Sequence, residues 1–140
     1  MNFSDNFQIK LTSPTVHEFL MLREQIGWQS VSEIDAQTSL QNSLFHVTIY
    51  IDEQLVGMGR VVGDGVMYFY IQDVVVAPDF QRCGIGAALM EKIENYLLSV
   101  AKKGSTIGLL AAKGKESFYS RYGYLERPSA VLGRGMCKFI

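Results

Sequence analysis

The sequence predicts a mixed α/β domain in which mostly antiparallel strands form one central sheet flanked by helices. Two apolar runs at 44–51 and 55–62, joined by the short polar turn Asp52-Glu53-Gln54, predict an antiparallel hairpin. A second signal predicts one parallel pair: the run 66–76 continues through a glycine-containing loop into a helix, and another apolar run follows at 106–111. Such a strand–helix–strand crossover should be right-handed and should make its two strands parallel.

Local signals predict the remaining elements in chain order. Ser13 as N-cap and Pro14 at the first helical position predict a helix that ends before Gly27, and Ser32 as N-cap predicts a second helix. The full prediction is strands at 7–11, 44–51, 55–62, 66–76, 106–111, 124–127 and 136–140, with helices at 14–25, 33–41, 84–102 and 115–122. We therefore expect a sheet of six to seven strands flanked by about four helices.

Length and composition predict a single domain over residues 1–140. The chain is 48% hydrophobic and 19% charged, which suits one continuous core and is too apolar for disorder. A net charge of −1 gives no broad attraction to nucleic acid or to an anionic membrane. No apolar run is long enough to span a bilayer, and residues 1–6 lack the features of a signal peptide. Cys83 and Cys137 show neither metal-ligand nor disulfide spacing, so we expect a cytoplasmic protein without a metal.

The segment 73–89 carries the strongest functional signal. An apolar strand enters a turn at Pro78 and a loop with Gly84 and Gly86, and a helix follows directly. A strand-to-helix loop of this kind directs several backbone N–H groups to one point at the positive end of the helix dipole. Glycine has no Cβ, so an anionic group can approach the backbone closely. The pattern predicts a diphosphate site.

The spacing of this loop excludes two common phosphate loops. A dinucleotide fingerprint needs Gly or Ala three residues after its second glycine, where this chain has Leu89. A P-loop needs Ser or Thr after Gly-Lys, where Glu116 follows Gly114-Lys115. The spacing that fits is Gln/Arg-x-x-Gly-x-Gly/Ala, at residues 81–86.

Residues 81–86, preceded by Val76-Ala77-Pro78, resemble the acetyl-CoA loop of the GCN5-related N-acetyltransferase (GNAT) superfamily. The segment Phe-Tyr-Ser-Arg-Tyr-Gly-Tyr at 118–124 is similar to a second GNAT motif, and the predicted order of elements resembles the GNAT fold over nearly the whole chain. The resemblance implies an N-acetyltransferase that uses acetyl-CoA as co-substrate. It also implies direct attack of a primary amine on the thioester in a ternary complex, without an acetyl-enzyme.

The resemblance further implies which residues bind the coenzyme. The backbone of Val74 and Val76 would pair with the pantetheine arm, as an added strand would. The diphosphate would be met mostly through main chain by Gln81, Arg82, Cys83, Gly84, Gly86 and Ala87. One position departs from the family pattern: many members carry Asn seven residues before the motif tyrosine, where this chain has Ala112. A side-chain contact to pantetheine is therefore expected to be missing.

Two residues are candidates for acid–base catalysis. Tyr119 occupies the position of the family's proton donor to the departing thiolate. A phenol has a pKa of about 10 and a thiol of about 8.5, so a protonated tyrosine can protonate the thiolate at little cost. Asp73 is the best-placed carboxylate for a general base, ahead of Glu116 and Asp64; it could instead hold the substrate cation or cap a turn.

The expected acceptor is a small primary amine such as an amino acid, a polyamine or an aminoglycoside. Trp28 and Tyr70 could wall its pocket or belong to the core, and Arg60 and Arg127 could bind an acceptor carboxylate or form surface salt bridges. Two alternatives remain open: a protein Lys or N-terminal acceptor, and a CoA-binding module without catalysis. A homodimer using the segment 136–140 is also consistent with the sequence.

Overall fold

A computed structural model describes residues 7–140, so the prediction about a signal peptide at 1–6 lies outside the described residues. Two compact units divide the chain after Ile107. The assignment of residues 1–140 to one domain therefore stays a prediction. Within the described part of the chain, no helix combines the length and apolar character needed to cross a bilayer.

The first unit holds most of the regular structure. Its elements are β1 (Phe7–Lys10), α1 (Val16–Gln25), α2 (Glu33–Gln41), β2 (Phe45–Ile51), β3 (Gln54–Gly63), β4 (Tyr68–Val76), a 3₁₀ turn (Pro78–Phe80) and α3 (Ile85–Val100). Strand β5 (Thr106–Gly108) follows, and α4 (Glu116–Ser120) lies in the second unit. The strands form one sheet in the order β1-β2-β3-β4-β5, with three antiparallel pairs and one parallel pair. The predicted fold class is confirmed.

Two strand predictions near the C-terminus are wrong. Neither 124–127 nor 136–140 is a strand, so the described sheet has five strands instead of six to seven. A strand needs a hydrogen-bonded neighbour, and apolar sequence alone does not supply one. The side chains of Leu125, Met136, Phe139 and Ile140 are all largely exposed, which shows that these segments are not packed as sheet.

The start of α1 also differs from the prediction. The N-cap is Thr15 and not Ser13: the Thr15 hydroxyl accepts from the Glu18 N–H at 3.1 Å, and the Glu18 carboxylate accepts from the Thr15 N–H at 2.9 Å. This reciprocal capping box satisfies two groups at the helix start, whereas a Ser-Pro start would satisfy one. The predicted N-cap Ser32 of α2 is confirmed, since its hydroxyl accepts from the Asp35 N–H at 3.2 Å.

The sheet is covered on both faces. On one face, α1 and α2 complete a cluster of buried side chains: Phe19, Leu22, Ala36, Leu40, Leu55, Met58, Val75 and Ala77. On the other face, α3 packs against β2, β3 and β4 through Ile85, Leu89 and Ile93. The approach of α3 is close at Gly57 and Gly59, where an added Cβ would lie 2.8 Å from Ile85 Cγ2 and 3.0 Å from Ile93 Cδ1, respectively. These two glycines set how near the helix lies to the sheet.

Replacing Gly57 by Ala should force α3 away from the sheet. The new methyl group would overlap the branched side chain of Ile85 at the start of the helix. We expect Gly57→Ala to lower the free energy of unfolding by about 1–3 kcal/mol, measured by urea denaturation. Gly108→Ala is the matched control because nothing lies within 4 Å of its Cβ position. Equal stability of the two variants would contradict the close packing.

The turn before β4 depends on an exposed carboxylate. Asp64 Oδ1 accepts from the backbone N–H groups of Val66, Met67 and Tyr68 at 2.8, 2.8 and 3.0 Å. These hydrogen bonds, that of Tyr68 foremost, lower the pKa of Asp64. The ionised carboxylate therefore belongs to the structure of the turn, which leaves Asp64 a poor candidate for a catalytic base.

The contribution of Asp64 to stability should depend on pH. A pKa that is lower in the folded state means that the stabilisation is present above the unfolded pKa of about 3.9 and is lost as the pH falls through the folded value. We expect the melting temperature of Asp64→Asn to be lower than that of the wild type at neutral pH. The difference between the two melting temperatures should shrink as the pH falls below about 4. The exposed Asp79, replaced by Asn, is the control for general charge effects. A gap that stays constant with pH would refute the assignment.

Candidate functional site

A β-bulge in β4 organises the candidate site. The register pairs Met58 with Val75 and Arg60 with Gln72, so Gly59 on β3 faces two residues of β4, Asp73 and Val74. Asp73 has φ +57°, in the left-handed region that few residues other than glycine adopt. An outlier of this kind persists only where surrounding contacts hold it in place.

Two arginines provide those contacts. Asp73 Oδ1 accepts from Arg23 Nη1 at 3.0 Å, and Oδ2 accepts from Arg60 Nε at 2.8 Å. Gln72 Nε2 also donates to Oδ1 at 3.2 Å. The Asp73 side chain is 1% exposed, and both of its oxygens already accept hydrogen bonds from cationic groups. This geometry argues against the general base that we expected here, because the carboxylate has no open side toward a substrate.

Arg60 is a structural residue. Its Nη1 donates to the Ser39 carbonyl, the Ser39 hydroxyl and the Ser43 hydroxyl, each at 3.0 Å. Arg60 is 9% exposed. It therefore fits neither of the two interpretations made from the sequence, which were a residue that binds an acceptor carboxylate and a partner in a surface salt bridge. Nearby, burial lowers the pKa of His46, a hydrogen bond with the Leu40 carbonyl opposes this, and the charge of Arg60 lowers the pKa again. Arg60 thus joins the end of α2 to β3 and β4.

Arg23 is the residue of this cluster that sequence reasoning missed. Its guanidinium lies over the rings of Phe19 and Trp28, at 5.4 and 5.1 Å from their centroids. Nη2 donates to the Gln29 carbonyl at 3.2 Å, while the buried Nε finds no hydrogen-bond partner among the described residues. The available signal was its position four residues after Phe19 on the same helix face.

The two predicted acceptor residues lie in this region. Trp28 is 37% exposed, and its ring contacts the Arg23 guanidinium, which in turn forms the ion pair with Asp73. Tyr70 is half-buried on β4 and pairs with Val62, as Gln72 pairs with Arg60. Since paired positions share a face of the sheet, the side chains of Tyr70 and Gln72 lie on the same face as Arg60.

The predicted coenzyme loop joins the end of β4 to α3. Gly84, with φ +84°, is the N-cap of α3, and Arg82 also has a positive φ of +64°. Among the described residues, none at positions 82–87 donates its N–H in a hydrogen bond. These donors lie at the positive end of a sixteen-residue helix, an arrangement that suits an anionic group such as a diphosphate.

Side-chain contacts hold this loop against the strand. Gln81 Nε2 donates to the Val76 carbonyl at 3.2 Å, and the Cys83 thiol donates to the Gln81 carbonyl at 3.4 Å. Arg82 and Ala87 are exposed, Gly86 and Val74 are partly buried, and Val76 pairs with Gly57 of β3. No cluster of three His, Cys, Asp or Glu side chains able to bind a metal occurs in residues 7–140.

The second compact unit contains Tyr119. This tyrosine lies on α4, where its ring and that of Phe118 pack edge-on with centroids 5.0 Å apart. Tyr122 contacts the same Phe118 ring at 5.7 Å. Burial raises the pKa of Tyr119, so its phenol is protonated at neutral pH. A protonated hydroxyl in this state is able to act as a proton donor.

Comparison with known proteins gives one consistent family. Residues 22–139 match the acetyltransferase (GNAT) domain family. A probable acetyltransferase from meticillin-resistant Staphylococcus aureus is 30% identical, with a TM-score of 0.87 over 96% of this chain and 99% of that one. The uncharacterized N-acetyltransferase ycf52 of Pyropia yezoensis is 27% identical over 95% of this chain and 78% of its own length. The chloroplastic GCN5-related N-acetyltransferase 1 of Arabidopsis thaliana is 30% identical over 75% of this chain and 52% of its own length.

Removing the charge of Asp73 should destabilise the fold strongly. Asp73→Asn keeps the size of the side chain and its tolerance of positive φ, but it leaves two largely buried guanidinium groups without a carboxylate. We expect the free energy of unfolding to fall by about 3–5 kcal/mol in urea denaturation at neutral pH.

Asp52→Asn is the matched control for this change. Asp52 also has a positive φ, of +49°, but it is exposed in the turn between β2 and β3. Its replacement should change stability by no more than about 0.5 kcal/mol. If both variants lost a similar amount of unfolding free energy, the ion pairs of Asp73 with the two arginines would not be the source of the stabilisation.

Proposed function

The chain belongs to the GNAT family of acetyltransferases and is an N-acetyltransferase, and from this premise we propose that it transfers the acetyl group of acetyl-CoA to the primary amine of a small molecule. The observation that carries the proposal is the loop at 81–87. In the part of the chain that the structure describes, the N–H groups of residues 82–87 make no hydrogen bond, and they lie at the start of α3. They would bind the coenzyme diphosphate without any side-chain requirement, and Arg82 could add a charge-assisted contact.

The proposed reaction needs three events at the thioester. The neutral amine attacks the acetyl carbonyl carbon, and the oxygen of the tetrahedral intermediate is stabilised by backbone N–H groups in the stretch 74–76. The carbon–sulfur bond then breaks, and the CoA thiolate takes the proton of the Tyr119 hydroxyl. The proton lost by the amine passes to water. We assign no direct base because Asp73 is enclosed by Arg23 and Arg60.

Partly buried side chains support a small acceptor. Gln72 and Trp28 contact the Arg23–Asp73 pair, and Tyr70 lies on the same face of the sheet as Gln72; the three side chains would contact a compact amine. Two alternatives remain, a protein Lys or N-terminus as acceptor and a CoA-binding module without transfer, and the measurements below distinguish them from the proposal. We further propose a cytoplasmic location, from the reduced pair of cysteines, and a homodimer that uses the exposed apolar residues of 136–140.

Replacing Tyr119 by Phe tests the proposal. Thiol release from acetyl-CoA is measured across free amino acids, polyamines, aminoglycosides and a Lys peptide. We expect turnover with a small amine, and Tyr119→Phe should lower kcat by about 10²-fold or more while coenzyme binding in calorimetry is retained. Because burial raises the pKa of Tyr119 above its ordinary 10.0, the wild-type rate should not fall through ionisation of this tyrosine below about pH 10.

Tyr122→Phe is the control, since Tyr122 lies just after α4, contacts the same Phe118 ring and has no proposed role. Turnover with the Lys peptide alone would contradict a small-molecule acceptor and support a protein acceptor. Coenzyme binding without turnover of any amine would contradict the proposed enzyme and support a CoA-binding module without catalysis.

A further inference from the structure

The cluster at the bulge of β4 has an excess of positive charge. It contains two guanidinium groups, of Arg23 and Arg60, and one carboxylate, of Asp73, to which both ion pairs go. The three side chains are mostly buried, with exposed fractions of 17%, 11% and 1%. Charge buried in this way is costly unless an opposite charge approaches it, so the cluster is suited to receive an anion.

Arg23 is the better placed of the two arginines to receive that anion. Arg60 uses Nε for Asp73 and Nη1 for three oxygens of Ser39 and Ser43. Arg23 is the more exposed of the two, its Nε is unpartnered in the described chain, and its Nη2 makes a single contact of 3.2 Å to the carbonyl of the exposed Gln29. Nε–H and Nη2–H form one edge of the guanidinium, and two parallel donors of this kind match the two oxygens of a carboxylate.

The surroundings hold this edge in one orientation. Nη1 is fixed by Asp73, and the guanidinium lies over the rings of Phe19 and Trp28. Gln72, which bonds the same Asp73 oxygen, lies on β4 directly before the segment proposed to hold acetyl-CoA. A carboxylate that displaces the Gln29 carbonyl from Nη2 would also reach the buried, unpartnered Nε and supply its missing acceptor. The amine of the same molecule would then lie near the end of β4.

We infer that the acceptor amine carries a carboxylate and that Arg23 is the specificity-determining residue that binds it. This inference rests on the proposed function and narrows it to acceptors of the amino-acid class, in place of polyamines and aminoglycosides. Asp73 is then a positioning residue: it holds the guanidinium of Arg23 and does not touch the acceptor.

Matched acceptor pairs test the inference. Free L-amino acids and the corresponding L-amino acid amides differ at the carboxyl group, and the amides also have a lower amine pKa. The ratio of their kcat/KM values, each expressed per concentration of neutral amine, therefore measures recognition of the carboxylate. We expect the wild type to prefer the free amino acid, and Arg23→Lys and Arg23→Gln to lower this ratio by about 10- to 100-fold. Arg23→Lys keeps a positive charge beside Asp73, so it separates loss of the guanidinium edge from loss of folding.

Lys10→Gln is the control variant, because Lys10 also places a cation over an aromatic ring, 4.8 Å from the centroid of Tyr50, in a different part of the sheet. Its ratio should equal that of the wild type. A wild-type ratio near one for every pair that turns over would overturn the inference and leave acetyl transfer intact.

Fluorescence gives a second readout that does not need turnover. Trp28 is the single tryptophan of the chain and lies 5.1 Å from the Arg23 guanidinium carbon, so its emission should change when an amino acid binds. The change should be absent with the amides and weakened in Arg23→Lys. If no amine is acetylated, the proposed function fails, and this titration still decides the inference: a change specific to the carboxylates supports it, and its absence overturns it.

Discussion

The structure depends on one buried carboxylate in an unusual backbone conformation. Asp73 takes a positive φ at a bulge, and its two oxygens bind arginines that come from α1 and β3. Arg60 in turn bonds the end of α2. Directly and through Arg60, the Asp73 side chain therefore connects two helices and two strands, and it does so where extended backbone would have aimed it differently. The cost of the strained residue is offset by charge-assisted hydrogen bonds that no uncharged residue could make.

The bulge also decides which residues face each layer of helices. Met58 and Val75 lie in the cluster formed with α1 and α2, whereas the neighbouring Gly57 lies against Ile85 of α3. Val74 Cγ2 approaches the Cβ position of Gly59 at 3.5 Å, beside Ile93. Asp73 and Val74 are consecutive, yet one contacts α1 and the other lies on the side of α3. The extra residue thus places polar chemistry on one face without interrupting apolar packing on the other.

Features with local causes could be predicted from the sequence, and features with distant causes could not. The hairpin at Asp52, the cap at Ser32 and the loop before α3 each follow from adjacent residues. The cap of α1 required a choice between two local signals, and the reciprocal bonds of Thr15 and Glu18 decided it. Arg23 and Asp73 are 50 residues apart, so their ion pair depends on the packing of α1 on the sheet. The strand predictions at 124–127 and 136–140 were wrong for the same reason, because apolar sequence does not identify the neighbouring strand that each would need.

The two faces of the sheet bear on the order in which substrates bind. The proposed coenzyme loop joins β4 to α3, and its side-chain hydrogen bonds within residues 7–140 go to the Val76 and Gln81 carbonyls. The Arg23 cluster is built from α1, α2, β3 and β4 and uses no residue of the loop. If both proposed sites bind their substrates, the hydrogen bonds that hold one site are separate from those that hold the other. In the proposed reaction, this independence favours random addition of acetyl-CoA and acceptor over a compulsory sequence.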